Sequence, residues 1–293
     1  MLKKFVKNQK VVAGLLAAFL VSATDLFACQ TINGVPDYNC DGQVKITVLG
    51  DSLVFGFGDQ ANKNKGGYVL RASKKLTSID FVNLGEKGLR AGTLLSRISK
   101  DLKTSKDNKY TQAIFNSDVV VLDLGRNDRW LFGEPIATRR DLGKIGSLIK
   151  SRSEANGSVA PMVVTAVLML PNRGSQGPWV AELNKLILAS STDKDPADLR
   201  FDKVSKRLLA SDNIHPTSKG YVELAKVFLN YLKKPLPKHM KVFRPDSDND
   251  GIFDRFETSM FGTNPELTDT DSDGMSDGQE VFQTLTDPLV ANW

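Results

Sequence analysis

Apolar residues alternate along the chain between two patterns. Short apolar runs that end at or near a glycine predict buried strands, and apolar residues spaced by three and four predict helices. The predicted strands cover residues 45–49, 81–84, 118–124 and 162–169, with a weaker fifth over 199–204. The predicted helices cover residues 68–76, 93–102, 140–153, 179–189 and 218–232, the last capped by Thr217 or Ser218. Apolar strands that alternate with helices indicate an α/β domain whose parallel sheet is covered on both faces.

A serine stands directly after the first predicted strand, in Gly50-Asp51-Ser52-Leu53. Ligands of parallel sheets bind beyond the carboxyl ends of the strands, so Ser52 is predicted to lie at the active edge of the sheet. A serine that attacks an ester needs a neighbouring base to accept its proton. Taken alone, however, the motif also fits a strand-to-helix turn with a capping serine.

Only two histidines are available as that base. His215 lies in Asp212-Asn-Ile-His215-Pro, where the aspartate three residues upstream can hold the second ring nitrogen. His239 stands in a basic linker beside Lys238, and we interpret it as a solvated residue. His215 therefore becomes the candidate base and Asp212 its partner, although a hydrogen-bonded loop histidine is an equally good interpretation of this motif on its own.

A candidate oxyanion group follows the third strand, in Gly125-Arg-Asn127-Asp. An asparagine amide aimed at a developing oxyanion stabilises the transition state by roughly 2.7–4 kcal/mol in known enzymes. Asn127 is suited to this task together with the backbone N–H groups of Ser52 and Gly88. Turn formation, which asparagine also favours, is the alternative explanation.

These three motifs, together with Asn83-Leu-Gly-Glu-Lys-Gly88 after the second strand, resemble the four motif blocks of the SGNH (GDSL-type) hydrolase superfamily in their order along the chain and their place at the strand ends. The resemblance covers about residues 44 to 233 and is carried by Ser52, Gly88, Asn127 and His215. It implies a three-layer αβα, flavodoxin-like domain. It also implies that Ser52 is the nucleophile, His215 the base and Asp212 its orienting partner, with Gly88 and Asn127 in the oxyanion hole.

The resemblance implies a serine esterase or lipase that works through an acyl-enzyme and needs no cofactor for catalysis. Two alternatives stay open at this point. One is an esterase that removes acetyl groups from a polysaccharide or cell-wall glycan, and the other is an inactive binding or adhesion protein on the same scaffold. Neither the acyl chain nor the alcohol part of the substrate follows from the sequence, because one fold serves many substrates.

An acidic repeat begins after the hydrolase-like region. Twelve residues from Asp246 to Glu257 recur 23 positions later, from Asp269 to Glu280. Each copy has carboxylates at positions 1, 3, 5, 9 and 12 and a glycine at position 6, which is the oxygen-ligand pattern that calcium prefers. The pattern resembles the bacterial type 3 thrombospondin repeat and predicts structural Ca²⁺. The predicted ligands are Asp246, Asp248, Asp250, Asp254, Glu257, Asp269, Asp271, Asp273, Asp277 and Glu280.

Charge is divided unevenly between the two regions. From Asp246 to the end there are 12 acidic residues and one basic residue, Arg255, so this part carries −11 and the remainder +16 of the net +5. Such a basic region could favour nucleic acid. Its lysines and arginines are scattered rather than clustered, however, so we interpret them as a solvated surface and expect no nucleic-acid partner.

The N-terminus resembles a secretory signal peptide. Four lysines within the first ten residues precede a 13-residue apolar segment, residues 11–23, which is short for a membrane-spanning helix. We expect export, with a retained anchor helix as the alternative. Cys29 and Cys40 can form a disulfide in an oxidising compartment. Alternatively, Cys29 carries lipid, because residues 26–29 resemble a lipobox, and only then is a membrane partner expected; a free thiol pair is the third possibility.

These observations divide the chain into a signal peptide (1–28), an N-terminal segment (29–43), a hydrolase domain (44–233), a linker (234–245) and a calcium-repeat module (246–289).

Overall fold

The computed structural model describes residues 31–39, 41–102, 109–129, 134–155, 158–191, 197–234, 247–252, 254 and 257–292. The predicted signal peptide, Cys29, Cys40, His239 and Asp246 lie outside the described residues. Within those residues, no helix combines the length and the apolar character that a membrane crossing requires.

A four-stranded parallel sheet forms the centre of the predicted hydrolase domain. Its strands are β3 (Lys45–Gly50), β4 (Asp80–Gly85), β5 (Val119–Asp123) and β6 (Met162–Thr165), in the order β4-β3-β5-β6. A small antiparallel hairpin, β1 (Thr31–Ile32) and β2 (Val35–Pro36), precedes it. Gly50 pairs with Gly85 on one side and with Asp123 on the other, so the carboxyl ends of three strands meet at one edge.

Seven helices of the described chain accompany the sheet. They are α1 (Ser52–Phe55), α2 (Gly67–Ser73), α3 (Ala91–Asp101), α4 (Lys109–Ile114), α5 (Pro135–Ala155), α6 (Gln176–Ala189) and α7 (Ser218–Leu232). Three short 3₁₀ turns lie at Gln60–Asn62, Phe201–Lys203 and Lys206–Leu208.

Two hydrophobic cores lie on opposite faces of the sheet. Because successive strand residues point to opposite faces, Val119 and Val121 of β5 enter one core and Val120 and Leu122 enter the other. Helices α2 and α7 cover the first face, and α3, α5 and α6 cover the second. The predicted three-layer αβα architecture with a parallel sheet is therefore confirmed.

The weak fifth strand predicted over residues 199–204 is wrong. A single parallel bridge joins Arg200 to Val167, and the chain then turns into the 3₁₀ helix Phe201–Lys203. The apolar pattern has another cause here, because the fully buried Phe201 ring packs 4.9 Å from the ring of Tyr68 in the α2–α7 core. Strand β6 also ends at Thr165, before the predicted position 169, since Val167 pairs with the Arg200 segment instead.

The described part of the acidic C-terminal region includes the short helical turns Glu257–Phe261, Asp277–Gln279 and Glu280–Thr284. The first and the third are π-helical. Ser276 caps the middle turn in a capping box with Gln279.

Candidate active site

Helix α1 packs against the end of the sheet at two glycines. A Cβ atom on Gly85 would lie 2.1 Å from the backbone nitrogen of Phe55, and one on Gly50 would lie 2.2 Å from Cγ2 of Val54. Only glycine allows this approach. The Asp51 carboxylate caps α1 by accepting a hydrogen bond from the Leu53 N–H at 3.0 Å. Together these contacts hold Ser52, the first residue of α1, at the carboxyl edge of the sheet.

Ser52 and a pair of side chains from a distant loop, Asp212 and His215, are joined by hydrogen bonds. Ser52 Oγ lies 2.8 Å from Nε2 of His215, and Nδ1 of His215 lies 2.6 Å from Oδ2 of Asp212. The Oδ1 atom of Asp212 accepts hydrogen bonds from the backbone N–H groups of Ile214 and His215, both at 3.0 Å. Burial raises the pKa of Asp212, but these hydrogen bonds outweigh it and hold the pKa below its usual value. The structure therefore brings Ser52, His215 and Asp212 together, and the Asp212 carboxylate that accepts from His215 is ionised.

Backbone hydrogen bonds hold together the two ends of the loop that carries His215. Leu209 and Pro216 form an antiparallel bridge, and the Ala210 N–H donates to the His215 carbonyl at 2.7 Å. On one side of the loop, the ring edge of Phe57 contacts the His215 ring at a centroid distance of 4.7 Å. Thr217 caps the following helix α7, as the sequence predicted, by accepting from the Gly220 N–H. The position of the imidazole is thus fixed by backbone and ring contacts.

The candidate oxyanion groups face the same cavity as Ser52 and His215. Gly88 is exposed, with φ +73°, and Asn127 donates one amide hydrogen bond to the Leu89 carbonyl at 3.0 Å. Both oxygens of the buried Asp128 accept from the Ala91 N–H, at 3.0 Å, at the start of α3. The loop before α3 is therefore attached to the segment after β5, which keeps Gly88 near Asn127.

Comparison with known proteins identifies the family of this domain. Residues 48–222 match the GDSL-like Lipase/Acylhydrolase family, which is more than half of the chain. The chain belongs to this family. Residues 246–265 and 269–291 match the bacterial TSP3 repeat.

One curated relative of this GDSL-like protein is a "Multidomain esterase" of Ruminococcus flavefaciens, 23% identical over 265 residues. The match covers 78% of this chain and 34% of the relative, so the chain spans about a third of that protein's length. A solved lipolytic G-D-S-L protein from Veillonella parvula is 18% identical with a TM-score of 0.51, covering 66% of this chain and 100% of that one. The lipase/acylhydrolase from Enterococcus faecalis is 18% identical with a TM-score of 0.48, covering 65% and 96% respectively.

A buried ionic cluster lies beneath the serine of this GDSL-like domain. Arg126 is 2% exposed, and its guanidinium contacts Asp51 at 3.2 Å and Asp123 at 2.7 Å. The hydroxyl of the buried Tyr68 donates to the other oxygen of Asp123 at 3.1 Å. Burial raises the pKa of Asp51, and Arg126 opposes that rise. The motifs in the sequence did not predict this cluster, although an aspartate at the end of an apolar strand was a signal for it.

The cavity above the serine measures about 250 Å³. Besides the groups already described, its lining includes Phe57, Lys87, Arg173 and Ile214. A small ester fits a space of this size, which borders Ser52, His215, Gly88 and Asn127 at once.

The TSP3 repeats form two groups of carboxylates. Within each group, one oxygen of every residue lies within 4.8 Å of the others. The first group is Asp248, Asp250 and Glu257, and the second is Asp269, Asp271 and Asp273. Burial, together with the charges of Asp248 and Asp250, raises the pKa of Glu257 to about 7. Negative charge is therefore concentrated at both sites.

Corresponding positions of the two repeats hold buried carboxylate oxygens without a hydrogen-bond donor in the described structure. They are Oδ2 of Asp248 and Asp271, at position 3, and Oε2 of Glu257 and Glu280, at position 12. A buried oxygen without a donor is costly, and a cation would satisfy it. These residues therefore fit the predicted calcium ligands.

The position 9 aspartates hold the backbone at the start of each repeat. Asp254 accepts hydrogen bonds from the backbone and hydroxyl of Ser247, at 2.8 and 2.7 Å. Asp277 accepts the equivalent pair from Thr270, at 2.8 and 2.6 Å. Both carboxylates thus fasten the start of their loop and lie outside the two acidic groups. The sequence indicates these contacts through the hydroxyl residue that recurs at position 2 of both repeats.

Proposed function

We propose that the protein is a serine esterase that hydrolyses acyl esters, with Ser52 as nucleophile, His215 as base and Asp212 as its orienting partner. The observation that carries the proposal is the unbroken hydrogen-bonded chain from Ser52 to Asp212, with distances of 2.8 and 2.6 Å, beside a cavity of about 250 Å³. The family relationship supports ester hydrolysis independently.

In the first step, Ser52 Oγ attacks the ester carbonyl while His215 Nε2 takes its proton. The tetrahedral intermediate collapses to an acyl-Ser52 ester, and His215 returns the proton to the departing alcohol. Water then attacks the acyl-enzyme with the same proton transfers, which releases the acid and restores Ser52. The ionised Asp212 stabilises the imidazolium that forms in each step.

Three N–H groups are suited to stabilise the oxyanion. The Ser52 N–H stands in the first turn of α1, where backbone donors have no acceptor within the helix. The exposed Gly88 N–H and the second amide hydrogen of Asn127 border the same cavity. Donors that are already in position cost no reorganisation in the transition state.

The test is covalent labelling with a fluorophosphonate, followed by peptide mapping and assays with 4-nitrophenyl acetate. We expect label on Ser52, and a loss of about a thousandfold or more in kcat for Ser52→Ala. Ser151→Ala, which removes an exposed hydroxyl on α5, serves as the control and should keep full activity. Full activity in Ser52→Ala, or a folded wild-type protein that neither labels nor turns over, would exclude the mechanism and favour a binding protein on this scaffold.

We further propose that each TSP3 repeat holds a structural Ca²⁺ ion. The supporting observation is the pair of buried carboxylate oxygens in each repeat that lack a donor, at positions 3 and 12. A cation there would supply the missing partner and remove the repulsion between neighbouring carboxylates. No step of ester hydrolysis requires this ion.

Calorimetry of the full-length protein tests the calcium proposal. At a hundredfold excess of Ca²⁺ over its Kd, a single site gains about 2.7 kcal/mol of stability, so the C-terminal transition should shift upward with calcium and downward with chelator. The double variant Glu257→Gln/Glu280→Gln should lose the response, whereas the exposed Glu266→Gln should keep it. Two bound ions per chain are expected by titration; a melting curve insensitive to calcium would contradict the proposal.

We also propose that the chain is exported and that residues 1–28 are a cleaved signal peptide. Its support is the basic and apolar N-terminal sequence together with the repeat module that follows the hydrolase domain. Intact mass of the secreted protein tests this proposal, because cleavage, a lipid on Cys29 and a Cys29–Cys40 disulfide each give a different mass. Recovery of the uncleaved chain from the exported fraction would support the anchor-helix alternative.

A further inference from the structure

Two exposed cations line the cavity above Ser52. Five ionisable side chains line it together with the polar groups of the site: Asp51, Lys87, Arg126, Arg173 and His215. Asp51 and Arg126 belong to the buried cluster with Asp123, and His215 is held between Ser52 and Asp212. Lys87 and Arg173 are both exposed, and neither has an ion pair among the described residues. The charges that a substrate meets first are therefore two cations.

Aromatic rings hold the Lys87 ammonium without neutralising it. Its Nζ atom lies 5.0 Å from the ring centroid of Phe55 and 4.5 Å from that of Phe57. Such cation–π contacts restrain the side chain while leaving its full positive charge. Phe57 in turn contacts the His215 ring at 4.7 Å, so Lys87 stands on the side of the base.

This position decides which half of the ester Lys87 meets. The base returns its proton to the departing alcohol, so the alcohol part of the ester must lie beside the His215 ring. A negative group on the alcohol is therefore within the field of Lys87.

Arg173 extends the positive field beyond the cavity. It also lines a second cavity of about 270 Å³, whose other lining includes Pro171, Pro178 and Lys206. Arg173 lines both spaces, and the only charged side chains among the described lining of the second one are Arg173 and Lys206. An alcohol that extends past Arg173 would thus meet one further cation, Lys206.

From these observations, and resting on the proposed esterase function, we propose that the enzyme selects esters whose alcohol part carries a negative charge, such as a carboxylate or sulfate group. Lys87 and Arg173 are the residues that determine this specificity, and they act by binding the alcohol part rather than by taking part in the proton transfers.

The test compares three acetate esters: phenyl acetate, 4-acetoxybenzoate and the acetate of 4-hydroxyphenyltrimethylammonium. For each variant, kcat/KM for the charged esters is divided by that for phenyl acetate. Comparing these ratios between variants cancels the intrinsic reactivity of the leaving groups. The anionic ratio is that of 4-acetoxybenzoate to phenyl acetate. We expect Lys87→Gln and Arg173→Gln each to lower this ratio by about threefold, which is the effect of one exposed charge contact. The double variant should lower it by about tenfold. The cationic ratio should rise in the same variants.

A matched control removes one lysine charge elsewhere. The exposed Lys75 follows α2 and precedes the first residue of β4, so it lies toward the amino edge of the sheet. Lys75→Gln should leave all ratios unchanged. Raising the ionic strength to 1 M should reduce the wild-type preference, because the Debye length shrinks to about 3 Å. Equal ratios in wild type and double variant would overturn the proposal.

Binding separates this proposal from the proposed esterase activity. Ser52→Ala leaves the cations in place, so NMR titration with 4-acetoxybenzoate and phenyl acetate measures charge preference without turnover. Tighter binding of the anionic ester that is lost on adding Lys87→Gln and Arg173→Gln supports the charge selection even if the wild type hydrolyses nothing. Equal affinity for the two esters refutes it even if the wild type is an active esterase.

Discussion

Replacing Arg126 by methionine tests whether the buried ionic cluster holds the active edge together. Arg126 is 2% exposed and contacts the carboxylates of Asp51 and Asp123, at 3.2 and 2.7 Å. Methionine preserves most of the apolar volume but removes the charge. The substitution therefore leaves two buried carboxylates facing each other without a cation.

Two charge-assisted hydrogen bonds of this kind are each worth about 1.5–3 kcal/mol. Breaking a buried ion pair by removing one partner costs about 3–5 kcal/mol, which agrees with that range. We take about 4 kcal/mol as the loss in the free energy of unfolding. For a domain of about 200 residues, this corresponds to a fall of roughly 10 °C in Tm.

The loss should depend on pH. Burial already raises the pKa of Asp51, and Arg126 is the group that lowers it, so the variant raises this pKa further. A carboxyl whose folded-state pKa is raised contributes stability that is present at low pH and lost as pH rises through that pKa. The difference in stability between wild type and Arg126→Met should therefore be larger at pH 8 than at pH 5.

Urea unfolding at constant calcium, followed by near-UV circular dichroism, measures both effects. Arg200→Met is the control, because Arg200 pairs with Asp202 through two contacts at 2.8 and 2.7 Å but is one-third exposed. It should cost less than about 1 kcal/mol. A loss below about 1 kcal/mol in Arg126→Met, or a loss independent of pH, would refute our account of the cluster.

Two further substitutions test the packing and the electrostatics of the site. In Gly85→Ala, the new Cβ would lie 2.1 Å from the backbone nitrogen of Phe55, so we expect the free energy of unfolding in urea to fall by about 1–3 kcal/mol. The control is Gly143→Ala in α5, where the atom nearest to the new Cβ is the end of a flexible arginine at 3.1 Å. This control should be neutral or slightly stabilising. Burial raises the pKa of Asp128 to about 6, so the folded state of wild type becomes less stable as this carboxyl ionises. Between pH 4 and pH 7, the free energy of unfolding of wild type should fall by on the order of 2 kcal/mol relative to that of Asp128→Asn. Parallel curves of stability against pH for the two proteins would contradict this prediction.

Strand ends made the candidate site predictable. Because the carboxyl ends of parallel strands meet at one edge, a serine after β3 and an asparagine after β5 had to be neighbours. The choice of His215 followed from the presence of only two histidines in the chain. What periodicity and motif spacing supplied was thus the set of reactive groups and the edge of the sheet where they meet.

The supporting contacts depend on register, which a single sequence does not determine. The pairing that sets Gly50 opposite Asp123 is what brings Asp51 close to Arg126. The attachment of Asp128 to the start of α3 has the same origin. Such contacts join segments more than 30 residues apart, and local patterns do not encode the distance between them.

In the acidic repeats, the sequence likewise predicted which residues are candidate ligands but not which contacts they make. The recurrence of carboxylates at fixed positions predicted ligands, and the structure groups those at positions 3 and 5 in both copies. It also joins the copies, since the Gly278 N–H of the second repeat donates to Asp250 of the first at 2.8 Å. A Cβ on Gly278 would lie 2.0 Å from the Asp250 carbonyl oxygen, so the close approach requires glycine. Asp250 therefore belongs to the first acidic group and also positions the second repeat. The pattern of carboxylates in the sequence could not separate candidate cation ligands from carboxylates that hold the backbone, because one residue can do both.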